Sequence, residues 1–134
     1  MKKNYFYLIV GILCVLFAFT HTLNGLGTAL PVLDNINIDS GAKTTFTYIW
    51  HIIGIENLVF GIALIIMAFA KNKENVKFTA WVIIAVLIVR LIIISVFTLI
   101  DNESRISDVL IDSIAMVIVL VLLILGTRMK DKTE

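Results

Sequence analysis

Charge is scarce in this chain, and so are proline, cysteine and histidine. Of 134 residues 16% are Asp, Glu, Lys or Arg, one is proline, one is cysteine and two are histidine. Soluble domains carry about 25% charged residues, so a water-soluble globular enzyme is excluded first. A single cysteine supports neither a disulfide scaffold nor a thiol redox pair, and Cys14 reads as a small buried hydrophobe. One proline and seven glycines exclude collagen-like and Pro/Gly-rich disordered chains. There is no HExxH, CxxC, Gly-rich phosphate loop or adjacent nucleophile and base. The residues therefore point to no catalytic group, cofactor or metal.

What the chain has is oil: 60% of its residues are hydrophobic. A helix crosses a hydrocarbon core roughly 30 Å thick with about 20 mostly apolar residues. Four such stretches are legible, at about residues 5–23, 48–70, 78–100 and 106–126. Backbone N–H and C=O groups have no water to bond at mid-bilayer, so these are helices despite the Ile and Val that favour strands in water. The expected fold is all-α: a polytopic membrane protein, one domain over residues 1–134, built as an antiparallel bundle of four transmembrane helices.

Basic residues orient the spans. Lys2, Lys3, Lys71, Lys73, Lys77, Arg128, Lys130 and Lys132 flank one side, and Lys43 and Arg105 the other. This places both termini in the cytoplasm of a multi-pass cell-membrane protein, with the connections 24–47 and 101–105 outside. Asp34, Asp39, Asp101, Glu103 and Asp108 make the outer side acidic, so the net charge of +1 conceals a polarised molecule. A nucleic-acid partner has no support. Tyr5, Phe6, Tyr7, Phe78 and Trp81 mark the inner interface, and Phe46, Tyr48 and Trp50 the outer one.

Lys2 and Lys3 before an apolar run, with Ala18-Phe19-Thr20 after it, share features with a signal peptide. The length of the run and the following His21 favour a retained span. Residues 24–47 are expected to form a long outer loop, with a helix stop at Asn24-Gly25-Leu26-Gly27, an apolar stretch around Leu30-Pro31, and a turn at Asp39-Ser40-Gly41. It lies on the headgroups or closes as a lid. Ser104 is expected to cap the fourth helix.

Three charges lie deep within the spans, Glu56, Arg90 and Asp112, whereas Asp108 stands at the outer end of the fourth. Each costs a few kcal/mol on insertion scales unless partnered. Counting at 1.5 Å per residue puts them roughly 12, 15 and 10 Å below the outer surface, so a Glu–Arg–Asp cluster is expected. It either fixes helix register or holds a surplus negative charge for a proton, cation or polar ligand. His21 and His51 are expected at similar depth near the outer surface. In the second span Trp50, Gly54, Asn57 and Gly61 form one small-and-polar stripe, with His51 about 100° to one side and Glu56 about 120° to the other. Gly11, Cys14, Ala18 and His21 make a matching face on the first span, which predicts where the two helices pack.

The run Ile55-Glu56-Asn57-Leu58-Val59-Phe60-Gly61-Ile62-Ala63-Leu64-Ile65-Ile66, followed by a basic turn at Lys71 to Lys77, resembles the second-helix pattern of the DoxX-like superfamily of small four-helix bacterial membrane proteins. That resemblance implies the four-helix fold and a link to respiratory or redox membrane complexes. The first helix departs from the pattern, with His21 where a basic residue often stands. The expected function is a non-catalytic accessory or lipid- and small-molecule-binding subunit, whose partners are membrane lipid and a second membrane protein or a second copy. Its candidate polar site is Glu56, Arg90, Asp112, His21, His51 and Asn57. The alternatives are a proton-coupled small-molecule transporter using Glu56, and a redox or lipid-modifying enzyme with an outward-facing polar site.

Overall fold

A computed structural model describes residues 3–101 and 106–129. The elements in chain order are α1 (Tyr5–Asn24), a π-helical turn (Gly25–Ala29), a short α2 (Leu30–Val32), α3 (Ser40–Phe69), α4 (Lys73–Asp101) and α5 (Ile106–Thr127). Among the described residues there is no strand. Four helical stretches are long and apolar enough to cross a membrane: Tyr5–Val32, Ser40–Phe69, Glu74–Ile100 and Val109–Thr127. Ser104, the expected cap of the last helix, lies outside the described residues.

Polar side chains set the starts of the helices. The Asn4 side-chain oxygen accepts the Tyr7 amide at 3.3 Å, and that of Asn72 accepts the Asn75 amide at 3.3 Å. Asp39 does the same for α3, accepting from Gly41 at 2.8 Å and Ala42 at 3.1 Å. Each meets an amide that lacks an intrahelical partner, and the Asp39 charge also suits the positive end of the helix. Within the oil, threonine hydroxyls donate to carbonyls one turn back, as Thr22 does to Ala18 at 2.9 Å and Thr79 to Asn75 at 3.0 Å.

The segment 24–47 differs from its expected loop. The chain continues helically through Asn24 to Val32, and α3 begins at Ser40, so the non-helical connection shrinks to residues 33–39. No glycine has a positive φ, so Gly25 and Gly27 do not end the helix by the left-handed route. The π turn accommodates the approach of Pro31, which has no N–H to continue an α pattern. In it, Leu30 donates to the Gly25 carbonyl. The Thr28 hydroxyl lies 2.7 Å from the Asn24 carbonyl and side-chain oxygens. The connection is anchored by an ion pair between Asp34 and Lys43 in the first turn of α3.

The chain forms two compact units, one of Gly11–Ile65 and one of Met1–Val10 with Ile66–Glu134. In the second, α4 packs on α5. Val76, Ala80, Ile83, Ile84 and Leu87 make the buried stripe of α4, and Val119, Leu120 and Leu123 that of α5. The opposite faces carry large exposed apolar residues, such as Val82, Val89 and Ile93 on α4. A membrane helix keeps such a face for lipid, so its helix-packing face is distinguished by fit rather than by oiliness.

In the first unit α1 and α3 meet along the small-residue faces expected from the sequence. A Cβ built on Gly61 would lie 2.8 Å from the Gly11 carbonyl oxygen and 2.9 Å from the Val15 amide nitrogen. A Cβ on Gly11 would lie 2.9 Å from the Gly61 carbonyl oxygen. The two backbones touch here, which only glycine permits.

Candidate functional site

At the Ser40 end of this pair, His21 and Trp50 form a reciprocal clasp. The indole N–H of Trp50 donates to the His21 carbonyl at 3.0 Å, and His21 Nε2 lies 3.1 Å from the Trp50 carbonyl oxygen. A carbonyl only accepts, so Nε2 donates and carries the proton. The two rings stack with centroids 4.5 Å apart and 9° between planes, and Phe46 lies 5.8 Å from Trp50. Gly25 is buried against the indole, where a Cβ would collide with Nε1. The sequence placed His21 and Trp50 on facing stripes, but gave no sign that each ring would bond the other's backbone.

His51 takes a different direction. One residue past Trp50 on a helix is a turn of about 100°, and His51 opens away from the α1 seam into a shallow groove along α3. The groove has a volume of about 470 Å³ and runs from Lys43, Thr44, Thr47 and Tyr48 through His51 to Ile52 and Ile55. Lys43, paired with Asp34, and the two threonines stand at its upper end, but the surface that lines it is almost wholly apolar. Its lower wall is two isoleucines, 56% and 61% exposed. The Thr44 and Thr47 hydroxyls donate to the carbonyls of Ser40 at 3.0 Å and Lys43 at 2.9 Å, leaving their oxygens free to accept. No hydrogen bond among the described residues engages the His51 ring.

The groove's height on the helix follows from length. Thirty residues of α3 span about 45 Å, some ten residues more than a hydrocarbon core about 30 Å thick requires. The surplus belongs at the Ser40 end, because residues 40–49 include Ser, Lys, three Thr and Tyr, whereas residues 60–69 are apolar throughout except for Gly61. That puts Trp50 near the boundary, where indole rings favour the headgroup layer.

The remaining expected site residues divide between the units. Glu56 and Asn57 lie on α3, half-buried, and Arg90 lies half-buried on α4. Each takes part in an electrostatic or hydrogen-bonding interaction. Asp112 on α5 is exposed. Among the described residues no three His, Cys, Asp or Glu side chains gather as a metal site.

Sequence reading missed Asn4, 8% exposed at the start of α1. Its amide donates to the Ala68 carbonyl at 3.0 Å and its side chain to the Gly126 carbonyl at 2.9 Å, while its oxygen caps Tyr7. One residue thus ties the start of α1 to the ends of α3 and α5. An Asn just before an apolar run is a legible cap signal, although its long-range bonds are not. Asn4→Ala is expected to cost about 1–3 kcal/mol, because it strips a cap and leaves the buried Gly126 carbonyl unmet. Unfolding in a mixed-detergent titration measures this, and Asn4→Asp, which keeps the cap oxygen but cannot donate to Gly126, should remain well below wild type.

No family model, curated protein or solved structure matches this chain.

Proposed function

We propose that this protein is a membrane-embedded binding protein that holds an amphiphilic small molecule or lipid in the α3 groove. The observation that carries the reading is a mostly apolar groove whose lining residues change in type along α3, from Lys43 and two threonines at the top to Ile52 and Ile55 at the bottom. An amphiphile changes in the same sense along its length, and a binding groove combines apolar walls with a few placed polar groups. The four spanning stretches are read as an antiparallel bundle with both termini in the cytoplasm, on the excess of basic residues beside those ends. The groove then faces outward. The likeness of residues 55–66 to the DoxX-like second helix is compatible with an accessory role beside another membrane protein.

The test is what remains bound. After gentle extraction, intact-mass measurement should find about one amphiphile per chain, as expected for one groove. Filling the groove with Ile52→Trp and Ile55→Trp should expel it. Val59→Trp, at an exposed position of α3 outside the groove, should not. Protein that emerges bare, or an adduct indifferent to the filling pair, would remove the reading.

A further inference from the structure

We infer that the end of the second unit tied by Asn4 is a docking surface for anionic phospholipid headgroups. Asn4 bonds the Ala68 carbonyl at 3.0 Å and the Gly126 carbonyl at 2.9 Å, which gathers three helix ends at one corner. Each end carries a cation within three residues of those bonds: Lys3 before α1, Lys71 after α3 and Arg128 after α5. Three residues are at most about 11 Å of chain, so the three charges share one surface. Lys77 follows in the second turn of α4, which starts at Lys73.

The surface is dominated by one sign of charge. Lys3, Lys71, Lys77 and Arg128 are all exposed, and the acid described at this end is Glu74 in the first turn of α4. Among the described residues no carboxylate pairs with any of the four cations. Lys3 lies over the Phe69 ring with its ammonium 5.2 Å from the centroid, a contact that holds the charge at the edge of the apolar face without neutralising it. Counted over the whole sequence, this end carries eight basic residues, with Lys2, Lys73, Lys130 and Lys132, against three acidic ones, Glu74, Asp131 and Glu134.

Aromatic residues fix the height of these charges. Phe78 and Trp81 are 73% and 52% exposed within one turn of Lys77, and Tyr5, 61% exposed, stands two residues from Lys3. Indole and phenol rings favour the headgroup layer, so the cations lie level with lipid phosphates. Phosphate oxygens accept from ammonium and guanidinium groups, and Arg128 can present two parallel N–H groups to one phosphodiester. Clusters of about four to eight basic residues beside spanning helices concentrate anionic lipid. A zwitterionic headgroup brings its own ammonium into the same field and gains less. None of these residues lines the α3 groove, so either surface can fail without the other.

Trp81 reads this end directly. Full-length Trp50→Phe protein, in which Trp81 is the remaining tryptophan, is placed in bilayers of phosphatidylglycerol and phosphatidylcholine with identical chains, one of the two lipids brominated in each sample. The ratio of fluorescence quenching gives the share of each lipid beside Trp81. Phosphatidylglycerol is expected to be enriched about fivefold over its bulk share, the scale of one basic residue at a membrane surface, and the enrichment should fall as salt is raised. Lys3→Gln, Lys71→Gln, Lys77→Gln and Arg128→Gln together should bring it near unity, exchanging each Lys for Arg and Arg128 for Lys should keep it, and Glu74→Gln should raise it. Equal quenching by the two lipids before any charge is removed, enrichment that survives the Gln set, or its loss in the charge-preserving set overturns the assignment. Loss of the enrichment on adding millimolar glycerol phosphate would show that the surface takes soluble phosphate, and overturns it as well.

Discussion

Replacing Gly61 by leucine is expected to separate α1 from α3 and to give the largest loss of stability of any single substitution in the first unit. Even the first carbon of the new side chain would stand 2.8 Å from the Gly11 carbonyl oxygen and 2.9 Å from the Val15 amide nitrogen. These are backbone atoms, and a helix backbone cannot swing aside as a flexible side chain does. In lipid no hydrophobic force pulls helices together, so close packing contributes directly to association. Gly61→Ala is expected to cost about 1–3 kcal/mol, as overpacking in a tight core does, and Gly61→Leu more. Gly27 provides the control, because nothing lies within 4 Å of a Cβ there, and Gly27→Ala should leave the pair intact. Reversible unfolding in detergent orders the variants. Equal stability of Gly61→Leu and Gly27→Ala would mean that the seam does not hold these helices.

Trp50→Ala is expected to have the next largest effect, approaching about 3 kcal/mol, the low end for truncating a packed tryptophan because this one is only half-buried. It removes the stack with His21, the N–H bond to the His21 carbonyl and the packing on Gly25 together. Trp50→Phe separates these contributions. A phenyl ring still stacks on the imidazole, but it cannot donate, so the loss should be nearer the 0.5–1.5 kcal/mol of about one net hydrogen bond. The predicted order is wild type, then phenylalanine, then alanine. If phenylalanine and alanine are equally damaging, the indole N–H carries the clasp; if both match wild type, the clasp contributes no stability. Trp81 is the other tryptophan, and in a Trp81→Phe background the fluorescence of Trp50 reports ring contact with His21 directly.

These two positions also show what the sequence could and could not disclose. Spanning helices and their small-residue faces are periodic features, and Gly11, Ala18, Gly54 and Gly61 could be matched by counting along two helices. Residues 24–47 misled because Gly25, Gly27 and Pro31 are the strongest helix-ending signals available. Here a π turn carries the helix past them, with Trp50 occupying the space beside Gly25. That occupancy is a tertiary fact, invisible in local propensity. Asn4, Asp39 and Asn72 stand immediately before helical runs and are cap signals a sequence can carry, whereas the bond from Asn4 to Gly126 crosses 122 residues.

The groove lay outside local reading for another reason. His51 attracts attention as a histidine near a glutamate and an arginine, and depth counting pairs it with His21. The structure turns His21 onto Trp50 and gives His51 to a face shared with Lys43 and Thr47. Reading the groove therefore requires knowing that α3 starts at Ser40 rather than near Tyr48, which a loop over 24–47 conceals.

The most direct test of this account is a depth profile along the exposed face of α3. Nitroxides placed singly at Thr44, Tyr48, Ile52 and Ile55, in a Cys14→Ala background, would be probed in bilayers with a water-soluble nickel relaxant and with oxygen, which partitions into hydrocarbon. The account predicts that nickel dominates at positions 44 and 48 and oxygen at 52 and 55, with the crossover beside Trp50 and His51. Oxygen dominating at all four positions, or nickel at all four, would mean that the groove does not straddle the membrane boundary.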